Sequence, residues 1–492
     1  MRLHKFIIFA SCILFIAIVL SHINNDFWQD EIYTLVHFVF TPFSTTLFDY
    51  HVANNHILFN FLLNIERQLL GINDIKEVLF HPFYVRVIPF IISIIGIVVF
   101  YVAMKKLYGN KFALIALSVY VTTFSLINFS VQLRGYALNV LLCTILVYYF
   151  IKSFKEQYFS NTHFLKLLFA TLLVVVCLPV NIYLISAMVM LPILLLIKPT
   201  LSPYISNNYL PKIVLLKIIF SLIGGASFAA ALYVWLFSKH QPVETTLPVT
   251  YFAKGNLLQS LAVFFHFTHT RLHFYILLIA FAFMLYRSKH KKIFFSNAFI
   301  ISVSIYLLYF IFCFIHGAVI IQRIFLSLIP VFAIIITAVV EKVFEENFFQ
   351  TKLSIFLSLN FLCVIISIAM ANTTAKKNNE QSVYTHDLIN QYYLINFNAK
   401  ESVLLADKMM KEKKIPLFVE EGFGDSGIAD YLKIFTIPFA YFEAVQATNY
   451  QAFAIISNNK KRTENFLISH GYTYQKQMSS SFHYNVYYCY KK

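Results

Sequence analysis

Long apolar runs, one after another with only short charged interruptions, dominate this sequence and decide what it can fold into. Each run of about 18 residues or more is enough for one helical crossing of a bilayer, and the stretch from Phe6 to Ala371 supplies about eleven of them. With 59% hydrophobic and 13% charged residues, a water-soluble fold would have nowhere to bury its apolar surface. The chain therefore reads as a polytopic α-helical membrane protein. A formal charge of +16 would suggest nucleic acid in a soluble chain. Here Lys and Arg gather at the ends of apolar runs, which is the pattern of membrane orientation, and no nucleic-acid partner is implied. Of the cysteines, Cys12, Cys143, Cys177, Cys313 and Cys363 lie inside apolar segments and only Cys489 does not. No C-x-x-C spacing occurs, so neither a zinc knuckle nor a disulfide framework is indicated.

The basic residues also orient the chain. Arg2 and Lys5 precede a first span, Phe6 to Ser21, which lacks a small-x-small cleavage site and reads as a retained helix rather than a signal peptide. Lys105, Lys106 and Lys111, then Lys152 and Lys155, Lys198, and above all RSKHKK from Arg287 to Lys292 mark turns on the cytoplasmic side. The segments opposite them face away from the cytoplasm: a long first external loop, 22–83, the region around Gln132 to Tyr136, a second loop from Ser238 to Arg271, and the turn carrying Arg323. Within the first loop, Ile57 to Leu70 reads as an amphipathic helix lying along the interface, with Asn60, Asn64, Glu66 and Arg67 off its apolar side. These readings predict a multi-pass protein of the cell (inner) membrane, in contact with membrane lipids. The third span is expected over Phe112 to Asn128, and the eleventh to end near Ala371.

From Asn372 the composition turns polar, so residues 1–371 read as the transmembrane domain and 372–492 as a C-terminal extracytoplasmic domain. Helices are expected near Glu401 to Lys413, Ile428 to Lys433 and Thr463 to His470, with strands at Pro416 to Glu420, Phe453 to Ser457, Tyr472 to Gln477 and Tyr484 to Tyr490, a small α/β domain.

The candidate chemistry sits between Asn24 and His56, which holds Asp26, Asp30, Glu31, Asp49, His51 and His56 between two apolar segments. Asp30 and Glu31 are adjacent, so on a helix their side chains diverge by about 100° and one of them faces any given site. One suits a general base; the other suits orienting it or pairing with an arginine. The plainer reading is that both favour a helix N-terminus. Arg86, Arg134 and Arg323 fall at span ends on the same side, and guanidiniums converging on one cavity suit a phosphate. Taken singly, each would more often pair with a nearby acid or reach a lipid headgroup. His51, His56, His266, His269 and His273 are also external, and the HFTHTRLH spacing would permit a metal. No acid accompanies it at fixed spacing, so no metal site is assigned and no cofactor is required, although a divalent metal is compatible with the acidic loop.

Taken in order, Asp30-Glu31 after the first span, Asn54-Asn55-His56, Arg86 opening the second span, QLRGYAL from Gln132 to Leu138 and QRIFLSLIP from Gln322 to Pro330 resemble the dolichyl-phosphate-mannose-protein mannosyltransferase-like glycosyltransferases of the GT-C superfamily (family 39 and the aminoarabinose transferases). The chain departs from that pattern at Ile57, Leu133 and Ile324. The resemblance implies a GT-C fold and an inverting transferase that uses a polyprenyl-phosphate sugar donor. It implies Asp30 as catalytic base beside Glu31, and Arg86, Arg134 and Arg323 facing the donor phosphate. Asn55, His56, Gln132 and Tyr136 would contact substrate. The acceptor, a protein hydroxyl, lipid or glycan, is left open. The competing reading is a transporter or flippase of a lipid-linked substrate, which would favour charged or broken helices at mid-membrane and internal repeats.

Overall fold

The computed structural model describes residues 2–50, 55–155, 159–206, 209–239, 296–316, 322–343, 349–380, 394, 396, 398–420, 427–442, 449–457, 460–479 and 484–491. Six helices are long and apolar enough to cross a membrane: Phe83–Tyr108, Tyr136–Lys155, Pro179–Ile197, Lys212–Lys239, Asn297–Ile315 and Leu353–Met370. Three shorter apolar helices, Lys5–Ser21, Asn161–Cys177 and Phe325–Glu341, occupy the first, fifth and tenth expected spans. The expected eighth span and the second external loop beyond Lys239 lie outside the described residues.

Two of these helices depart from what hydropathy alone shows. The third span is a pair, Asn110–Val121 and Phe124–Ser130, bent by 59°. Thr122 and Thr123 cause the break: their hydroxyls donate back to the Ser118 and Val119 carbonyls at 2.7 and 2.9 Å, competing with the helical ladder. The last helix runs Phe349–Glu380, past the apolar limit at Ala371, because helical hydrogen bonding does not stop where hydropathy does.

Large apolar side chains point outward along the helices, among them Phe6, Phe9, Ile91, Ile95, Val98, Phe220 and Phe228. Around a helical bundle, such a surface is the one that meets lipid. Inside, packing is close. A Cβ on Gly225 would lie 2.5 Å from the Leu168 carbonyl, so glycine lets Lys212–Lys239 and Asn161–Cys177 approach backbone to backbone. Asn181, in the 3₁₀ turn Pro179–Asn181, donates to Asn139 Oδ1 at 2.6 Å and to the Val174 carbonyl at 2.7 Å, and so ties the break between two spans to Tyr136–Lys155.

The first loop folds into short helices: Gln29–Thr34, continued by a π-helical turn Leu35–Val39, then Phe43–Phe48, Ile57–Leu69 and Ile75–Phe80. The polar side of Ile57–Leu69 is turned inward. Asn60 and Asn64 are fully buried; Asn60 donates to Asn55 Oδ1 and Asn64 to the Thr41 carbonyl and Thr46. Leu62, Leu69 and Leu70 face out instead. A helix seated on an apolar surface buries its polar groups against protein rather than exposing them.

After residue 398 the chain forms a five-stranded sheet in the order β2-β1-β3-β5-β4. The strands are β1 Leu417–Glu420, β2 Ala440–Tyr441, β3 Ala452–Ser457, β4 Tyr472–Ser479 and β5 Asn485–Lys491. β1 is parallel to β2 and β3, while β5 is antiparallel to β3 and β4. Alternation of side chains sorts the two faces. Phe418, Phe453, Ile455 and Tyr487 pack with Leu467 of the helix Lys460–Ser469. On the other face, Leu417, Val419, Ala454, Ile456 and Val486 share one core with Val403 and Ala406 of the helix Ala399–Lys413. That same core contains Phe27, Ile32, Leu35, Phe59, Leu63 and Val85, so the sheet and the first loop are packed together.

Candidate active site

The helix Gln29–Thr34 begins with Trp28 as its N-cap, and Glu31, at its third position, closes the turn by accepting from the Trp28 N–H at 2.9 Å. This fixes the directions of the two neighbouring acids. Glu31 points into protein, is 2% exposed, and its other oxygen accepts from the Leu133 N–H at 2.6 Å. Arg86 donates to the same carboxylate at 2.8 Å. Its two terminal nitrogens also reach the His22, Asn25 and Asp26 carbonyls at 3.4, 2.6 and 3.2 Å, and the guanidinium lies 4.8 Å from the Phe27 ring centre. Glu31 and Arg86 thus form a sealed clamp joining the first loop, the second span and the QLR segment.

Asp30 faces the other way, with its side chain 37% exposed. Its Oδ2 stands 3.7 Å from Arg134 and 3.6 Å from Arg323. Arg134 is buried, touches the Asp30 carbonyl at 3.4 Å, and lies 5.7 Å from the ring centre of Tyr136. Arg323, from the 3₁₀ segment Gln322–Leu328, is one-third exposed and donates to the Tyr136 hydroxyl at 3.4 Å. Two cations and one carboxylate therefore meet at the mouth of the bundle. Separations near 3.7 Å are longer than charge-assisted hydrogen bonds, so the pairs attract without being closed.

His56 caps the helix Ile57–Leu69 beside this cluster, and its ring meets Tyr136 edge-on at 5.3 Å. Burial, then the charges of Arg134 and Arg323, hold its pKa well below the usual imidazole value, so it is neutral. Its Nδ1 is buried without a hydrogen-bond partner, as is Oε1 of Gln132. Gly135 makes room for it, since a Cβ there would meet Nδ1 at 3.0 Å. Asn55 spends its amide on the Thr46 and Asp49 carbonyls, at 3.1 and 2.7 Å, and so shapes the loop.

Among the nine residues expected at the site, the structure brings Asp30, Arg134, Arg323, Tyr136 and His56 together in one cluster, with Asp30 and Arg323 partly exposed. It sets Glu31 and Arg86 behind them, Asn55 in the loop wall, and Gln132 buried beside Arg134. One neighbour was not foreseen: Tyr50, buried against Tyr233 and Phe237, whose hydroxyl is pushed up to about 12 by burial and eased by Arg134. Its only sequence signal is an aromatic in an acidic loop, which says little. Among the described residues, no group of three or more His, Cys, Asp or Glu could hold a metal ion. The segment containing His266, His269 and His273 lies outside the described residues, as does His51.

No family model matches this sequence, and no curated protein matches it in sequence. Solved structures do match in fold. The chain is similar to ArnT from Cupriavidus metallidurans bound to undecaprenyl phosphate, at 10% identity and a TM-score of 0.52, with 97% of each chain covered. The apo state of that ArnT gives 9% identity, a TM-score of 0.51 and 98% of each chain. The Archaeoglobus fulgidus oligosaccharyltransferase follows at 12% identity and a TM-score of 0.45, covering 96% of this chain and 69% of that one. The chain thus shares the fold of ArnT. At these identities the likeness is one of fold.

Proposed function

We propose that this protein is a membrane glycosyltransferase that moves a sugar from a polyprenyl-phosphate donor to an acceptor on the extracytoplasmic face. The observation that carries the reading is Asp30, an exposed carboxylate held beside Arg134 and Arg323 at the mouth of a GT-C bundle. Asp30 takes the proton of the acceptor hydroxyl or amine. The acceptor atom then bonds to the sugar's anomeric carbon as the bond from that carbon to the phosphate oxygen breaks, and polyprenyl phosphate leaves as an anion. Arg134 and Arg323 stabilise the negative charge gathering on that oxygen. ArnT was solved with undecaprenyl phosphate, which makes that lipid the first donor carrier to test.

Glu31 and Arg86 serve by holding Asp30 and the Arg134 segment in register, since both groups of Arg86 are committed to protein. Neutral His56, with Gln132 and Tyr136, presents polar atoms to substrate beside the arginines. In this reading, residues 1–371 form the transmembrane domain in the cell (inner) membrane, and 372–492 form an extracytoplasmic domain. The test is mass spectrometry of polyprenyl-phosphate sugars and envelope glycoconjugates in the native host, comparing deletion, wild-type rescue and Asp30→Asn rescue. One sugar missing from a glycoconjugate, restored by wild type and not by Asp30→Asn, supports the reading and names donor and acceptor. Unchanged glycoconjugates in all three strains overturn it in favour of a transporter.

A further inference from the structure

The backbone just before Asp30 is gripped from two sides. From the bundle, Arg86 holds the Asn25 and Asp26 carbonyls. From the C-terminal half, Tyr431 on the helix Ile428–Ile434 accepts from the Phe27 N–H at 2.8 Å and donates to the Phe27 carbonyl at 3.3 Å. One hydroxyl thus satisfies both backbone groups of a residue that has no strand or helix partner there, in a fully buried place. Asp26 Oδ2 accepts from the Lys400 N–H at 2.9 Å, in the first turn of Ala399–Lys413, and the Asp26 N–H donates to Asn396 Oδ1 at 3.1 Å. Gly427, at φ +71°, lies against Gln29: a Cβ there would stand 3.1 Å from Gln29 Cα and 3.4 Å from Ile32 Cδ1. These contacts join segments about four hundred residues apart in sequence, and all end within four residues of Asp30.

We infer that the C-terminal sheet unit is part of the catalytic apparatus, with Tyr431, Gly427 and Asp26 as positioning residues that set where the Asp30 carboxylate stands relative to Arg134 and Arg323. The inference rests on the transferase reading above. Arg134 and Arg323 come from other elements, so a shift of the 26–29 turn would work against the Glu31–Leu133 bond and change the spacing between the base and the phosphate site. Misplacement of a reacting group by about 1 Å can cost on the order of a hundredfold in rate.

The test uses the full-length protein in nanodiscs with undecaprenyl phosphate as binding probe, followed by native mass spectrometry. Amide exchange is read over residues 24–34, and transfer is read in cells as the glycoconjugate change caused by Asp30→Asn. Tyr431→Phe removes one oxygen from the clamp. Tyr487→Phe is the control, because it removes a hydroxyl that bonds Glu464 on the far face of the same sheet. The expected result for Tyr431→Phe is exchange at residues 27–32 faster by about tenfold or more and transfer slower by about tenfold to a hundredfold, with undecaprenyl phosphate binding unchanged and Tyr487→Phe matching wild type.

Wild-type exchange and transfer in Tyr431→Phe overturns the inference and leaves the transferase reading standing if Asp30→Asn is still inactive. Equal losses in Tyr431→Phe and Tyr487→Phe also overturn it, since that is general destabilisation. If Tyr431→Phe does not accumulate, Gly427→Ala decides by the same readouts, because it strains the contact with Gln29 without removing a hydrogen bond. Wild-type protein that fails to bind undecaprenyl phosphate counts against the transferase reading, while the exchange comparison still decides whether the clamp exists.

Discussion

Glu31 and Asp30 are neighbours in sequence and opposites in structure. Glu31 has both oxygens engaged at 2.6 to 2.9 Å and is sealed from solvent, whereas Asp30 is partly exposed and stands 3.6 to 3.7 Å from Arg134 and Arg323. The difference teaches how the site divides its labour. A buried carboxylate with both oxygens held by donors serves to fix the fold, and a partly exposed one beside two cations can meet an acceptor's proton.

The comparison is most easily broken at Asp30. Asp30→Asn keeps shape and removes the base, so transfer should fall by about a hundredfold to ten-thousandfold, with monodisperse protein of wild-type melting temperature. Next in size, Glu31→Gln breaks a buried, hydrogen-bonded ion pair and should cost about 3–5 kcal/mol of stability, measured as a lower melting temperature and poor accumulation in the membrane. An Asp30→Asn protein that fails to fold, or a Glu31→Gln protein that folds normally and is merely inactive, would exchange the two roles.

The arginines sharpen the same contrast. Buried Arg134→Gln should weaken undecaprenyl phosphate binding by about tenfold or more, the value of a lost charge-assisted hydrogen bond. Arg323→Gln should weaken it less, because solvent and salt screen a group one-third exposed. A native-mass-spectrometry titration of both variants orders them.

A different readout, pH dependence, is expected to move at Glu66, buried in the first loop with one oxygen unpartnered and its pKa raised by burial to about 8. The folded state then holds a proton that the unfolded state has lost between pH 4.5 and about 8, so stability falls as pH rises through that window. Glu66→Gln should remove this slope from a series of melting temperatures. A wild-type protein with no such slope would place Glu66 in water.

Much of the scaffold is legible because hydropathy reports it directly: the apolar helices, and strands β1, β3, β4 and β5 with their alternating residues. β2 has only Ala440 and Tyr441, too short for any period to show. The bend at Thr122 and Thr123 depends on hydroxyls choosing their own helix's carbonyls, and the inward turn of Asn60 and Asn64 depends on partners at Thr41, Thr46 and Asn55. Neither choice is written locally. At the site, adjacency shows that Asp30 and Glu31 diverge, but not which faces the opening. That is decided by Trp28 as N-cap and by the distant Leu133 N–H. Arg86 looks like Arg134 in sequence and differs by the Glu31 carboxylate and the carbonyls that surround it.

If Arg134 and Arg323 meet the lipid phosphate while Arg86 and Glu31 stay closed behind them, a cryo-electron microscopy structure with bound undecaprenyl phosphate will show it. The expected density places phosphate oxygens within hydrogen-bond distance of Arg134 and Arg323, Asp30 facing the phosphate's open side, and the Arg86–Glu31 pair unchanged. Phosphate bound to Arg86, with Glu31 displaced into the opening, would contradict it.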